Sequence, residues 1–423
     1  MKYFLPLSLC LLLFWACEPA QIVENQRTTK DSSQAPPPPL DTFVNFRFLA
    51  VGDFMQHGDQ IRAAYDPASG QFDYEPAFRY LRPLIDSADL AILNLELTLN
   101  DKNNFSGYPM FRSPDTLAHF IKAAGFDLLS TANNHTNDNF DYGLQHTLDV
   151  LDSLNLAHTG SFRDSIERKA IYPLLYELQK DSVALRLAVL SFTYGTNGIP
   201  TRKPGIVNLM DSLEIRADIA KAKAKKPDLI VALAHWGLEY QLQPNREQQK
   251  WEAWLRKEGV DLIIGGHPHV LQPLARDSSS GQFTAYSLGN FISNQFRPNT
   301  DIGLILELDF QKNRFTGELQ PKGANYIPIW RHIHHYKQKP VADWIYTLLP
   351  ISALLADSSN FAQLPQAEWA RMKATYLRNQ KNLAQGAGQE RFLPATYWQG
   401  FPPIDSVLTP LPARKHNFRP RIR

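Results

Sequence analysis

Short runs of consecutive apolar residues recur along the first three quarters of the chain, and segments with helical spacing separate them. Uninterrupted runs of this kind are typical of strands that are buried on both faces. They predict strands at 46–51, 90–95, 127–131, 183–193, 228–234, 262–264, 283–288 and 303–310. The intervening segments predict helices at 74–87, 115–124, 142–154, 212–225 and 246–258. This alternation indicates an α/β fold with helices outside the sheet.

The two ends of the chain differ from this central pattern. Lys2 precedes an apolar run that ends at Ala16-Cys17, which is the form of a secretory signal and is short for a membrane span. The small residue before Cys17 resembles a bacterial lipoprotein processing site; an ordinary cleaved signal peptide is the alternative. We therefore expect a signal at 1–17, a disordered Pro-rich tether at 18–43, a main domain at 44–312 and a C-terminal extension of unknown role at 313–423.

Within the extension, 326–330 and 344–349 are compatible with strands or extended packing arms, and 368–383 predicts a helix.

Composition narrows the function classes and the metal chemistry. Hydrophobic residues make up 43% of the chain and charged residues 20%, as in ordinary globular proteins. A net charge of +2 argues against a dedicated nucleic-acid surface. Cys10 and Cys17 are the only cysteines, so the mature chain has no internal disulfide and no thiolate metal site. Any metal must bind to His, Asp, Glu or Asn.

Side chains that can bind metals follow several of the predicted strands. They are Asp53, Glu96, Asn134, His235, His267 and His269, with His135 beside Asn134. Each alone could be a cap, a turn residue or a packed ring, but strand ends are where open α/β sheets bind ligands. Carboxylate, amide and imidazole ligands suit Zn, Mn or Fe, and two such ions about 4 Å apart bind an oxyanion and a water together. We expect His135 to act as a general acid and Asp138 to orient its ring.

These residues lie in motifs that resemble the bacterial capsule-synthesis CapA family, which is associated with poly-γ-glutamate (PGA) capsules. The motifs are Gly52-Asp53, Asn94-Leu-Glu96, Ala132-Asn-Asn-His135, His235-Trp-Gly-x-Glu-Tyr240, Gly266-His-Pro-His269 and Ser287-Leu-Gly-Asn-Phe291. The family is more distantly similar to calcineurin-like metallophosphoesterases. The resemblance spans about residues 46–310 and implies a four-layer α-β-β-α sandwich. It also implies two divalent metal ions (Mn, Zn or Fe) at the six ligand positions above, with His135 as the catalytic histidine.

One motif departs from the phosphoesterase pattern. Those enzymes usually carry Asp-x-His at the first strand, whereas this chain has Asp53-Phe-Met55. The resemblance therefore implies that the first metal has one ligand fewer. His57 is either a substitute ligand or a solvated loop histidine. Glu96, longer than the usual aspartate, is expected to change the bridge between the metals.

Other polar residues have expected roles around the same cleft. Glu239, Tyr240 and Asn290 are expected to bind substrate; for the first two, capping the loop is the alternative. Gln295 and Arg297 are expected to line the cleft, with an exposed surface position as the alternative for Arg297. His332, His334 and His335 are expected on a surface strand, with a second metal cluster as the alternative.

Three functional hypotheses follow. The first is a membrane-tethered, extracytoplasmic enzyme or former enzyme that acts in synthesis, export or trimming of poly-γ-glutamate or a related capsule polymer. The second is a metal-dependent phosphoester hydrolase acting on nucleotides or other small phosphates. The third is a non-catalytic partner of a membrane-bound polymer synthase. The expected partners are an anionic polymer or phosphoester substrate, the synthase complex and a membrane reached by a lipid anchor, without nucleic acid. The expected location is the bacterial cell envelope, lipid-anchored or secreted.

Overall fold

A computed structural model describes residues 42–401 except 336–337, 362–363 and 385. The expected signal peptide, Cys17 and nearly all of the tether lie outside the described residues. Among the helices of the described part, none combines the length and apolar character that crossing a membrane requires.

The strands alternate with helices along the chain. The strands are β1 (Phe43–Phe54), β2 (Tyr65–Asp66), β3 (Gln71–Phe72), β4 (Leu90–Leu95), β5 (Thr98–Asn100), β6 (Arg112–Pro114), β7 (Leu128–Ser130), β8 (Ala157–Thr159), β9 (Ser161–Phe162), β10 (Leu174–Lys180), β11 (Val183–Thr193), β12 (Ile206–Val207), β13 (Leu229–His235), β14 (Leu262–Gly266), β15 (Leu274–Arg276), β16 (Phe283–Ala285), β17 (Asn290–Ile292), β18 (Ile302–Asn313), β19 (Leu319–His334), β20 (Ile345–Pro350) and β21 (Gln389–Glu390). The α-helices are α1 (Gly58–Ala64), α2 (Glu75–Phe78), α3 (Arg82–Ile85), α4 (Thr116–Ala123), α5 (Phe140–Ser153), α6 (Ser165–Ile171), α7 (Ser212–Ala224), α8 (Arg246–Lys257), α9 (Ile351–Ala356) and α10 (Gln366–Leu383).

The strands form two mixed sheets and several small ribbons. The large sheet has the order β20-β19-β18-β1-β4-β7-β8, with β17 paired to β1 and β21 paired to β19. Within it, β1, β4, β7 and β8 are parallel, whereas β18, β19 and β20 are antiparallel to their neighbours. The smaller sheet has the order β10-β11-β13-β14-β16-β15, with the parallel strands β11, β13, β14 and β16 at its centre.

The two sheets pack face to face, as the alternating side chains of β11 show. Leu187 and Val189 belong to the hydrophobic core that also contains the large sheet. Leu190 and Phe192 belong to a second apolar cluster with side chains of α7 and α8. Since side chains alternate between the faces of a strand, one face of the smaller sheet meets the large sheet and the other meets helices. This is the expected α-β-β-α layering.

The structure confirms the predicted central strands and changes one helix. The predicted helix at 74–87 is broken into α2 and α3, with Pro83 in the first turn of α3. Proline has no N–H to donate and its ring clashes with the carbonyl four residues earlier, here that of Arg79, so a continuous helix cannot pass through it.

The segment after residue 312 does not form a separate body. Both extended segments are strands, because β19 pairs with β18 and β20 pairs with β19 in the large sheet. The expected boundary at residue 312 therefore falls inside the sheet. The expectation of a surface strand is wrong for His332 and His334, which are 4% and 6% exposed. Their strand is interior to the sheet, flanked by β18 and β20.

Candidate metal centre

The six predicted ligands meet where the parallel strands of both sheets end. Asp53 lies near the end of β1 and Glu96 directly follows β4, while His235 is the last residue of β13. Asn134 follows β7, and the remaining pair follows β14. The large sheet thus supplies Asp53, Glu96 and Asn134, and the smaller sheet supplies His235, His267 and His269. All six are at most 4% exposed.

The carboxylate of Glu96 is shared by two ligand groups. Its Oε1 lies 3.6 Å from Nε2 of His235 and 3.8 Å from Nε2 of His269. Asp53, Glu96 and His269 present ligand atoms within 4.8 Å of one another, as do Glu96, His235 and His267. One carboxylate common to two such groups could contribute to the binding of two metal ions.

Asp53 is fixed by contacts from both sheets. Its Oδ1 accepts a hydrogen bond from Nδ2 of Asn94 at 2.7 Å, and its Oδ2 accepts one from the backbone N–H of His267 at 3.0 Å. Oδ2 also lies 3.1 Å from Nδ1 of His269. A Cβ at Gly266 would stand 2.4 Å from Oδ1 of Asp53, so only glycine permits this approach.

The donor set fits divalent cations. Both carboxylate oxygens of Glu96 and Nδ1 of His267 are buried without hydrogen-bond partners, a costly state that a cation would relieve. Burial lowers the pKa of His267 to about 3 and lowers the pKa of His235 well below its usual value, so both imidazoles are neutral and have a lone pair to offer. Burial, and then the charge of Asp53, raises the pKa of Glu96. Such oxygen and nitrogen ligands suit Mn, Zn or Fe.

His135 and Asp138 form a buried pair beside this centre. Nδ1 of the ring lies 2.7 Å from Oδ2 of Asp138, which also accepts the backbone N–H of Phe111 at 2.6 Å. The Phe111 ring packs edge-on against the imidazole at 4.6 Å. With Nδ1 occupied, Nε2 is the nitrogen left for a substrate. Asp138 is fully buried, so it positions the histidine and does not itself face the cleft.

The residues expected to bind substrate occupy different places. Glu239 is exposed, and one of its carboxylate oxygens lies within 4.8 Å of imidazole nitrogens of His267 and His269. The Tyr240 ring lies 6.1 Å from that of His269. By contrast, Nδ2 of Asn290 bonds internally to Ser293 Oγ, Gln295 Oε1 and the carbonyl of Thr300. Asn290 therefore anchors its own loop, and its Oδ1 is buried without a hydrogen-bond partner.

Two side chains reach the rim from the loop after Asn290. The guanidinium of Arg297 lies 4.5 Å above the Tyr240 ring, and Nε2 of Gln295 donates to the Tyr240 hydroxyl at 3.4 Å. Arg297 itself is exposed. Arg297 is therefore both exposed, as one expectation has it, and at the border of the cleft, as the other has it.

The interpretation of His57 as a solvated loop histidine is wrong. Its Nδ1 accepts the backbone N–H of Asn294 at 3.2 Å, and its ring packs edge-on against Phe111 at 5.0 Å. It precedes α1, where Nε2 and Oε1 of Gln60 bond to backbone groups of Met55 and His57. These contacts hold His57 in place near the centre.

Sequence reasoning missed two residues of the site. Asn94 lies two residues before Glu96, and its Nδ2 contacts Oδ1 of Asp53 at 2.7 Å and Nδ1 of His235 at 3.2 Å. Tyr194 follows β11, and its ring lies 4.5 Å from that of His267 and 6.3 Å from that of His235. The signal for both was their position at the end of a predicted strand.

Two facing mixed sheets between helices, with Asp, Glu, Asn and His side chains at their common edge, define a fold of the metallophosphoesterase type. Residues 47–295 match the family described as "Bacterial capsule synthesis protein PGA_cap". The chain belongs to this family of capsule biosynthesis proteins.

Two relatives of the chain are themselves CapA proteins of capsule or PGA biosynthesis. The chain is 28% identical over 317 residues to the PGA biosynthesis protein CapA of Bacillus subtilis (strain 168), covering 72% of this chain and 78% of that protein. It is 29% identical over 276 residues to the capsule biosynthesis protein CapA of Bacillus anthracis, covering 62% of this chain and 63% of that protein. Among solved structures, the calcineurin-like phosphoesterase YfkN from Bacillus subtilis aligns at 16% identity with a TM-score of 0.38, covering 80% of this chain and 98% of that chain.

Proposed function

We propose that this chain is a metal-dependent hydrolase of the bacterial cell envelope that cleaves poly-γ-glutamate or a related anionic capsule polymer. The observation that carries the proposal is the buried, unpartnered carboxylate of Glu96 between His235 and His269. A carboxylate in that state is best accounted for by cations on both of its sides. The family membership supplies the expected polymer.

The side chains of the centre divide into two tasks. Asp53, Glu96, Asn134, His235, His267 and His269 would hold two divalent ions. When bound, such ions polarise the scissile carbonyl or phosphoryl oxygen and lower the pKa of a water. His135 has Asp138 on its Nδ1, so its Nε2 can hold a proton for the leaving atom of the broken bond.

The expected location and partners remain part of the proposal. A lipidated Cys17 with the tether at 18–43 would hold the domain at a membrane. A polymer synthase in that membrane would be the natural neighbour. The arginine above Tyr240, at the rim, would favour an anionic chain.

Hydrolysis of a phosphoester is the second candidate. It is favoured by the same His135–Asp138 pair, because a proton donor beside two metals serves an alkoxide leaving group as well as an amine. The two candidates differ in substrate and share the metal centre.

The test uses the purified full-length chain, its metal content, a γ-glutamyl polymer and p-nitrophenyl phosphate. We expect bound metal and shortened polymer chains, with turnover reduced about 10²–10⁴-fold in His135→Ala. The control is His146→Ala, because His146 forms a similar pair with Asp115 at 2.8 Å on other elements; it should leave turnover unchanged. Bound metal with phosphoester turnover but intact polymer would replace the first candidate by the second. A wild-type chain without metal, or without turnover of either substrate, would overturn both.

A further inference from the structure

The two ligand groups of the centre are unequal. Asn134 could serve as a fourth ligand beside Glu96, His235 and His267, since its Oδ1 lies 2.8 Å from Nε2 of His235. For the group of Asp53, Glu96 and His269, β1 offers no ligand besides Asp53. Met55, where phosphoesterases of this type carry histidine, is 1% exposed and packs in the hydrophobic core.

We propose that Glu239 is a further metal ligand, which completes the centre on the side of His269. A carboxylate oxygen of Glu239 and imidazole nitrogens of His267 and His269 lie within 4.8 Å of one another. This inference rests on the proposed metal centre and adds to it a ligand that the first-strand motif does not provide.

Backbone contacts hold Glu239 in this place. The N–H of Trp236 donates to the carbonyl of Gly266 at 3.1 Å, and the N–H of Tyr240 donates to the carbonyl of Pro268 at 2.8 Å. Gly237 takes a φ of 90° between these two bonds. The loop that carries Glu239 is therefore joined at both ends to the loop that carries the two histidines.

The histidine loop has an unusual backbone of its own. His267 and His269 have φ values of 97° and 58°, in the left-handed region that side chains other than glycine rarely adopt. Such conformations persist where surrounding contacts enforce them, and they cluster at functional sites. Here both rings present a nitrogen atom within 4.8 Å of a carboxylate oxygen of Glu239.

The placement of the carboxylates gives a second reason. Asp53 and Glu96 present ligand atoms together with His269, and Glu239 does so with His267 and the same His269. Three carboxylates that share one imidazole neighbour oppose one another unless a cation lies among them.

The direct test measures metal affinity in the full-length chain. Wild type, Glu239→Gln and Glu247→Gln are compared by metal content and by competition for Zn²⁺ or Mn²⁺ with a chromophoric chelator. Glu247 is the matched control, because it is also exposed and lies on α8 paired with Lys250. We expect Glu239→Gln to weaken one of the two sites at least about tenfold and the control to match wild type.

A spectroscopic readout separates a ligand from a substrate-binding residue. In the Co²⁺-substituted protein, loss of a ligand changes the visible absorption band even without substrate. Wild-type affinity and an unchanged Co²⁺ spectrum in Glu239→Gln would overturn this inference while the metal centre stands. A wild-type chain that binds no metal would instead overturn the centre itself.

Discussion

Replacing Glu96 by methionine should stabilise the metal-free protein and at the same time remove its response to metal. Glu96 is fully buried, and neither of its carboxylate oxygens has a hydrogen-bond partner. Methionine has a similar length and no charge, so it fills the same space without an unsatisfied group. Function and stability therefore pull in opposite directions at this residue.

The magnitude follows from two separate effects. An unsatisfied buried polar group costs about 1–3 kcal/mol, so we expect Glu96→Met to raise the free energy of unfolding of the metal-free chain by about that amount. A cation at about 100 times its Kd stabilises the folded state by about 2.7 kcal/mol per site. Because Glu96 belongs to both ligand groups, the variant should lose this gain at both sites, about 5 kcal/mol together.

The assay is urea unfolding of wild type and variant, once with a chelator and once with Mn²⁺ or Zn²⁺. Glu307→Met is the control, because Glu307 is also fully buried without hydrogen-bond partners, but its Oε1 forms an ion pair with Arg391 at 2.9 Å. It should lower stability and leave the metal response intact, since it removes one partner of a pair remote from the centre. Glu96→Met that is less stable than wild type in chelator, or that gains as much from metal, would refute the reasoning.

Two further predictions concern the catalytic pair and the first strand. Asp138→Asn should lower kcat about 10–100-fold with unchanged metal content, because His135 loses its orienting carboxylate; a wild-type kcat would contradict this role. Gly52→Ala should lower the free energy of unfolding by about 1–3 kcal/mol in urea, because its Cβ would stand 1.9 Å from the carbonyl oxygen of Gly289. Gly323→Ala, whose Cβ would meet nothing within 4 Å, should stay within about 0.5 kcal/mol of wild type, and equal loss in both would contradict the steric explanation.

Much of the centre was predictable because its ligands follow apolar strands in the sequence. Asp53, Glu96 and His235 each come at the end of a run whose strand the structure confirms. Parallel strands bring their carboxyl ends to one edge, so position along the chain translates into position in space. The facing of the two sheets came from the family resemblance and could not be read from periodicity.

The remaining features depend on contacts between distant segments. Nothing near Glu239 in sequence shows that Tyr240 bonds to Pro268 and so places the carboxylate over the histidine pair. The burial of His332 likewise depends on β20, a strand that follows it and closes the sheet beside it. The local sequence pattern predicts the type of an element and which of its faces is apolar. It does not predict which distant segment will pack or bond against that element.

The sharing of Glu96 makes the centre a joint between the two sheets. Glu96 comes from the large sheet, whereas the two imidazoles nearest its carboxylate, those of His235 and His269, come from the smaller one. Elsewhere the sheets are joined by apolar packing and by polar contacts, among them Lys312 Nζ at 2.6 Å from Asp228 and Lys180 Nζ at 2.7 Å from Asp89. The strand-end edge brings carboxylates and imidazoles together with unsatisfied buried atoms, so a cation bound there would join the two sheets. Ligands drawn from both sheets mean that metal affinity depends on the packing of the whole sandwich, so substitutions far from the centre that shift one sheet should weaken metal binding as well as stability.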